Sequence, residues 1–325
     1  MLPTARGLLR LAEKTGFRVD TLEKVIRLAE LLPDIDQHSV LGDSLVLKGG
    51  TALNLSFGPP RRLSVDLDFN FIGSADRERM LKIRPRIEQS IEAIARDQGY
   101  GVQRSAESHA GRKHFLSYQR LGDGLPDRLE VDINYLHRVS LLPAERRPIW
   151  RPDNETSPEP RLLSWPEIAS GKLIALLDRA APRDAWDVAR LPELSRENWP
   201  PPLLRPVFIT LAGTLPRPLH EYDETRLGRI RDEDVTRLLH PMLLPGDRSA
   251  ASELRESAWA ILEPLLALTS SEKKYCDRLQ KGDHLPELLF PSDPDLAEQA
   301  RSLPALLWKA QNARTHFRKS SRRKH

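Results

Sequence analysis

Leu45-Val46-Leu47-Lys48-Gly49-Gly50-Thr51-Ala52-Leu53-Asn54-Leu55, followed by Leu63-Ser64-Val65-Asp66-Leu67-Asp68-Phe69-Asn70-Phe71, is the stretch on which the reading of this chain turns. The apolar run from Ser44 to Lys48 reads as a buried strand that meets a glycine pair abruptly. Thr51 stands where a cap would start a short helix, and Gly58-Pro59-Pro60 breaks that helix. From Leu63 to Phe71 apolar and polar side chains alternate strictly. That period predicts a strand with Val65, Leu67 and Phe69 in the core and with Asp66 and Asp68 together on the open face.

Working outward, Leu22, Val25, Ile26, Leu28 and Leu31 recur at helical spacing, which predicts one helix from Leu8 to Leu32 ending at Pro33. A second amphipathic helix is expected over 76–98, closed by Gly99. Alternation around His114–Tyr118 and Leu129–Tyr135 completes a small sheet. The segment 141–160 is rich in Pro, Arg and Glu and reads as a linker. Beyond it helices are expected over 165–179, 184–191, 250–268, 270–281 and 294–314, while 192–245 holds many of the 27 prolines and resists reading. No internal repeat is present. The expected organisation is a two-lobed α+β chain, 1–150 carrying the small mixed sheet and 151–325 mainly helical.

Composition narrows the class. With 39% hydrophobic and 30% charged residues the balance is that of a folded globular chain. No run approaches the roughly 20 apolar residues of a membrane helix, and the N-terminus lacks the pattern of a signal peptide. Cys276 is the only cysteine, which excludes an internal disulfide and fits a reducing cytoplasm. The nine histidines lack metal-ligand spacing; His109 and His114, near Lys113, are read as structural. Trp165, Trp186, Trp259 and Trp308 lie in apolar helical stretches and are expected in the core. The net charge of +4 gathers in the last residues, where Arg314, Arg318, Lys319, Arg322, Arg323 and Lys324 have no acidic neighbour. Such a tail is either a solvated end or a phosphate-binding arm.

Two carboxylates at i and i+2 on a strand reach one metal pair from the same face. Nucleotidyl transfer needs such a pair, usually with two metal ions about 4 Å apart. Asp-x-Asp alone marks only a solvated strand face. Its position sharpens it: just upstream a glycine pair lies between strand and helix, where backbone N–H groups can approach phosphate oxygens. A third carboxylate would come from Leu129-Glu130-Val131-Asp132-Ile133-Asn134, with Asp132 the first choice and Glu130 the reserve.

Leu47-Lys48-Gly49-Gly50-Thr51-Ala52-Leu53 and Arg62-Leu63-Ser64-Val65-Asp66-Leu67-Asp68-Phe69 closely resemble the first two motifs of the AbiEii/AbiGii-type nucleotidyltransferase toxins, a family that includes the MenT toxins of type IV toxin–antitoxin systems. Glu167-Ile168-Ala169-Ser170-Gly171-Lys172-Leu173 and Asp178-Arg179-Ala180-Ala181-Pro182-Arg183-Asp184-Ala185-Trp186-Asp187 resemble its lysine and aspartate motifs, and Leu303–Lys309 loosely matches a C-terminal pattern. One departure is Thr51, where the family often has serine; the hydroxyl is retained. The resemblance implies a polymerase-β-like nucleotidyltransferase lobe. It implies a nucleotide-binding set of Lys48, Gly49, Gly50, Thr51, Ser64, Lys172 and Arg179, with Asp66, Asp68, Lys172 and Asp187 catalytic. Asp66, Asp68 and Asp132 would hold Mg²⁺, or Mn²⁺ in its place, with the nucleotide between Asp66/Asp68 and Lys172.

The implied reaction moves NMP from an NTP to an acceptor, expected to be the 3′ end of tRNA, and so stops translation. A cognate antitoxin is the expected partner. The alternatives are transfer to a protein side chain and a non-catalytic nucleotide or RNA binder. In the second lobe Asp184, after Pro182, is read as a helix N-cap. Arg179 and Arg183 either bind phosphate or pair with Asp178 and Asp184.

Overall fold

The computed structural model describes residues 2–106, 108, 110–153, 155–195 and 199–322, with side chains up to residue 315. His109, Arg323 and Lys324, and the side chains of Arg318, Lys319 and Arg322, lie outside the described residues. The chain divides into two compact units. One comprises Met1–Arg138, Pro143–Ser164 and Thr236–Arg248, the other Val139–Leu142, Trp165–Val235 and Ser249–His325.

The first unit holds all seven strands: β1 (Leu45–Lys48), β2 (Asp66–Phe71), β3 (Gly101–Arg104), β4 (Gly111–Gln119), β5 (Pro126–Asn134), β6 (Glu145–Arg146) and β7 (Arg161–Leu162). They form one mixed sheet in the order β3-β4-β5-β2-β1-β7-β6. β2 runs parallel to β5 and β1 parallel to β7; the other neighbours are antiparallel. One face of the sheet is apolar because every second residue of its central strands is. Leu67, Phe69, Phe71, Leu129, Val131 and Ile133 are all buried. Helices α2 (Val19–Gln37) and α4 (Arg77–Asp97) cover that face with Leu22, Ile26, Ile87 and Ile91. Arg27 of α2 stacks its guanidinium 3.9 Å from the Tyr118 ring, and Arg84 of α4 stacks 4.5 Å from the Tyr135 ring.

Three expectations for this unit are corrected. The single helix over 8–32 is two, α1 (Ala5–Thr15) and α2, because Gly16 takes a left-handed φ of 78° and returns its N–H to Ala12. Pro33 does not end α2. It forfeits one helical hydrogen bond, and burial of Leu32 and Ile35 carries the helix on to Gln37. Thr51 is not a cap either. Helix α3 (Gly49–Ser56) begins at the glycine pair, and the fully buried Thr51 hydroxyl donates across to the Asp66 carbonyl of β2. α4 starts where expected, the Asp76 carboxylate accepting from the Arg79 N–H at 2.7 Å.

The second unit is helical among its described residues. α5 (Trp165–Arg179) ends at Ala180, whose φ of 50° turns the chain, and α6 (Pro182–Ala189) follows with Pro182 at its first position. Further helices span Leu204–Ala212, Ala251–Leu266 and Ser270–Gln280. The helix expected over 294–314 is divided into Pro294–Arg301 and Pro304–Arg322, Pro304 starting the second. Trp165 and Trp186 are core residues as expected. Trp308 is not. Ala305, Leu306 and Ala310 are buried residues of its helix, and Trp308 is left 49% exposed. Among the described residues no helix is long and apolar enough to cross a membrane.

Candidate active site

Strand register puts four charged residues in one line across the open face of the sheet. Lys48 of β1 pairs with Asp68 of β2, Asp68 with Asp132 of β5, and Asp132 with Lys113 of β4. Adjacent strands lie about 4.8 Å apart, so the line reads cation, carboxylate, carboxylate, cation. One step along β2, Asp66 stands beside Glu130 on the same face. All four acids are partly open to solvent, whereas Leu67 and Val131 between them are buried.

The glycine pair is shaped around this line. Gly49 has a φ of 75°, and a Cβ placed on it would come 2.4 Å from Asp68 Oδ2. Only glycine combines that backbone with so close a carboxylate. A Cβ on Gly50 would come 2.6 Å from Ser64 Oγ and 3.0 Å from Arg62 Nη2, both buried groups. Asn54 ties the turn from behind, donating to the Gly50 carbonyl at 3.1 Å. Gly49→Ala is therefore expected to lose more activity than stability. The backbone strain costs about 1–2 kcal/mol, but the methyl also pushes the Asp68 carboxylate off its line. Thermal melting beside an activity assay checks this; unchanged activity would mean that Asp68 has no fixed position to lose.

Lys113 is the residue that sequence reading did not place here. Its Nζ lies 3.2 Å from Glu130 Oε2 and 4.0 Å from Asp132 Oδ2. Burial alone would lower its ammonium, but Glu130, Asp132 and Asp68 raise it on balance. Asp132 is pushed above the usual carboxylate range by burial and then by the Asp68 charge, against the pull of Lys48 and Lys113. Two acids that repel one another at the end of a glycine turn suit a cation. Among the described residues, however, no three His, Cys, Asp or Glu side chains form a ready-made ion cage. Asp66 and Asp68 offer a two-carboxylate platform, which is how Mg²⁺ is commonly held when substrate phosphates supply its other ligands. His114 shares no part of this face. It is fully buried on the side of α4, 3.9 Å from Glu92.

In the second unit Lys172 of α5 and Asp187 of α6 form a buried pair, Nζ to Oδ2 2.7 Å, with Asp184 Oδ1 at 3.9 Å from the same ammonium. Arg179 forks onto Asp184 through Nε at 2.6 Å and Nη2 at 2.9 Å. Asp184 is thus not the N-cap it was read as. Pro182 starts the helix two residues earlier, Ala181 holds the cap position, and Asp184 is a fully buried acceptor. Arg179 spends its fork on that acceptor although its side chain is 63% exposed. Glu167 anchors the segment before α5, accepting from the N–H groups of Leu141 at 2.8 Å and Leu142 at 3.2 Å.

A sequence profile of the nucleotidyl transferase AbiEii toxins of type IV TA systems matches residues 30–259, which takes in the glycine turn, both strand carboxylates and the Lys172–Asp187 pair. The chain belongs to the AbiEii nucleotidyltransferase toxin family. No curated protein sequence gives a significant match. Among solved structures, the nucleotidyltransferase toxin MenT4 of Mycobacterium tuberculosis H37Rv is similar at a TM-score of 0.59 and 20% identity, over 94% of this chain and 99% of that one. JHP933 of Helicobacter pylori aligns at a TM-score of 0.36 and 16% identity, over 94% and 97% of the two chains. The MenT4 likeness is one of fold, and the fold class is the expected α+β one, a mixed sheet with many helices. The family is one of nucleotidyltransferase toxins, and the matched span includes the strands that carry the register line.

Proposed function

We propose that this chain transfers NMP from an NTP to the 3′ end of a tRNA, with Mg²⁺ held by Asp66 and Asp68. The observation that carries the reading is the line Lys48, Asp68, Asp132, Lys113, set against a glycine turn whose two α-carbons have no room for a side chain. In the reaction an acceptor hydroxyl gives up its proton to solvent as its oxygen bonds to the α-phosphorus, the bond from that phosphorus to the β-bridging oxygen breaks, and pyrophosphate leaves with the electron pair. Mg²⁺, when bound, supplies positive charge to the phosphate oxygens and to the attacking oxygen. The turn at Gly49-Gly50 brings backbone N–H groups to phosphate without a side chain in the way. Lys48 and Lys113 flank the acids and limit their mutual repulsion. Asp132 stands level with Asp68 as the third carboxylate, and Glu130 with Asp66. Lys172, fixed by Asp187 at 2.7 Å, is a compact point charge of the kind that suits phosphate.

The biological reading follows from the acceptor. A tRNA whose 3′ end is extended cannot be aminoacylated, so translation stops in the cytoplasm until a cognate antitoxin protein neutralises the enzyme. Purified protein with each α-labelled NTP, Mg²⁺ and total tRNA tests this beside Asp66→Ala. Label on tRNA with the wild type and none with the variant is expected. Label on protein, or on nothing, would overturn the acceptor.

A further inference from the structure

We infer that the outer face of α4 is a docking groove for the phosphodiester backbone of the RNA acceptor, an inference that rests on the reading above for its choice of RNA. An open groove of about 440 Å³ runs along the start of α4, lined by Gly73, Ser74, Arg79, Lys82, Ile83 and Arg86. Arg79, Lys82 and Arg86 are exposed, and among the described residues none has a carboxylate partner. Their neighbours differ. On the buried side of the same helix Arg84 pairs with Glu88 at 2.7 Å, and Arg77, before the groove, pairs with Glu78 at 3.1 Å. The three like charges fall on one face at i, i+3 and i+7, exposed and without a carboxylate ion pair among the described residues.

Size and lining point to the occupant. From Arg79 to Arg86 the helix rises about 10 Å, longer than one phosphate and suited to successive phosphates of a strand. The remaining lining is glycine, a serine and one isoleucine. A protein partner's docking site would be expected to carry apolar or aromatic anchors, and a base-reading site aromatic platforms. A glycine floor under three cations instead fits backbone contact without sequence readout. Ser74 is already engaged, accepting from the Asp76 N–H at 3.2 Å, so the cations rather than the hydroxyl make the site. The groove opens just past the end of β2, five residues after Asp68. That is at most about 17 Å of extended chain from the carboxylates, so one RNA could lie on both.

The test is tRNA binding by the full-length protein across a salt series, comparing wild type with R79A/K82A/R86A and with the charge reversal R86E. Each lost phosphate contact removes about 0.7 to 0.9 from the slope of log K against log salt. The triple variant should therefore lose about 2 from the slope and at least tenfold in affinity at 0.1 M salt, with NTP binding and melting temperature unchanged. Equal affinity and slope in all three proteins would overturn the inference and leave an acidic protein as the groove's partner. Label transfer on the same preparations separates this from the functional reading. A wild type that binds tRNA through these cations yet labels none sinks the acceptor and keeps the groove. A triple variant that labels tRNA with wild-type KM sinks the groove and keeps the acceptor.

Discussion

Asp68→Asn is expected to abolish transfer and, in the same protein, to make the first unit harder to melt at neutral pH. The substitution keeps the shape that Gly49 is built around and removes one charge from the line. If Asp68 holds the metal as proposed, its loss forfeits several kcal/mol of charge stabilisation in the transition state, so the rate should fall about a thousandfold or more. Stability moves the other way because of Asp132. Its folded pKa is raised above the ordinary 3.8, with burial first and Asp68 second among the causes. A carboxyl that holds its proton more tightly when folded favours folding at low pH, and that favour is lost as pH rises through its folded pKa. Neutralising Asp68 shrinks the shift and with it the loss. The gain in melting temperature should be present at pH 7 and fade at acid pH, once the medium is below the raised pKa of Asp132 and that carboxyl holds its proton. Melting curves at neutral and acid pH beside the activity assay decide it. Full activity would remove Asp68 from the chemistry; a melting temperature that falls at pH 7 would mean that the carboxylates do not repel one another.

Lys172→Met carries the largest expected effect on stability. Asp187 is 1% exposed and Asp184 fully buried, and Lys172 is the ammonium between them. Arg179 continues to satisfy Asp184, but Asp187 loses its 2.7 Å partner. Breaking one side of a buried pair costs about 3–5 kcal/mol, enough to lower the melting temperature of a unit this size by roughly 10 °C. K172M/D187L removes both charges and should recover most of that loss, since apolar replacement of a whole buried pair is often neutral. The double variant then isolates function from folding. Folded and without measurable transfer, it supports Lys172 as a nucleotide-binding residue. Folded with wild-type KM for NTP, it reduces the pair to a structural role.

How much of this was legible in the sequence depends on whether the signal was local. The alternation from Leu63 to Phe71 reports the face of Asp66 and Asp68 directly, because side chains on a strand alternate whatever the strand pairs with. The span of α5 was legible for the same reason, its apolar residues recurring with the helical period. Lys113 was not. Its place beside Asp132 is a matter of register between β4 and β5, and only the antiparallel pairing of residues far apart in sequence supplies it. β7 is two residues long, and β6 falls in a stretch read as a linker; neither is long enough to show a period. Asp184 was misread because a carboxylate shortly after a proline has the same local look whether it caps a helix or lies buried in its first turn. Only Arg179 and Lys172, brought close by the fold, distinguish the two. Gly16 was passed over because glycine within an apolar pattern becomes a stop only when its φ is positive.

With Asp132 in its proposed role, the parallel contact of β2 with β5 also bears on when the enzyme can become dangerous to the cell that makes it. Asp68 and Asp132 are brought side by side by a pairing of residues 64 positions apart, with α4, β3 and β4 between the two strands. Contacts of such long sequence separation are the slow ones to form. On the proposed assignment of Asp132, a ribosome that has delivered Asp66 and Asp68 has not yet delivered the full carboxylate set, and a nascent or clipped chain lacking β5 is expected to be harmless. On the proposed assignment, transfer can begin only after this strand pair has closed and the chain through Asp187 has been made and folded. Its timing gives a neutralising partner a window after synthesis starts in which to arrive first.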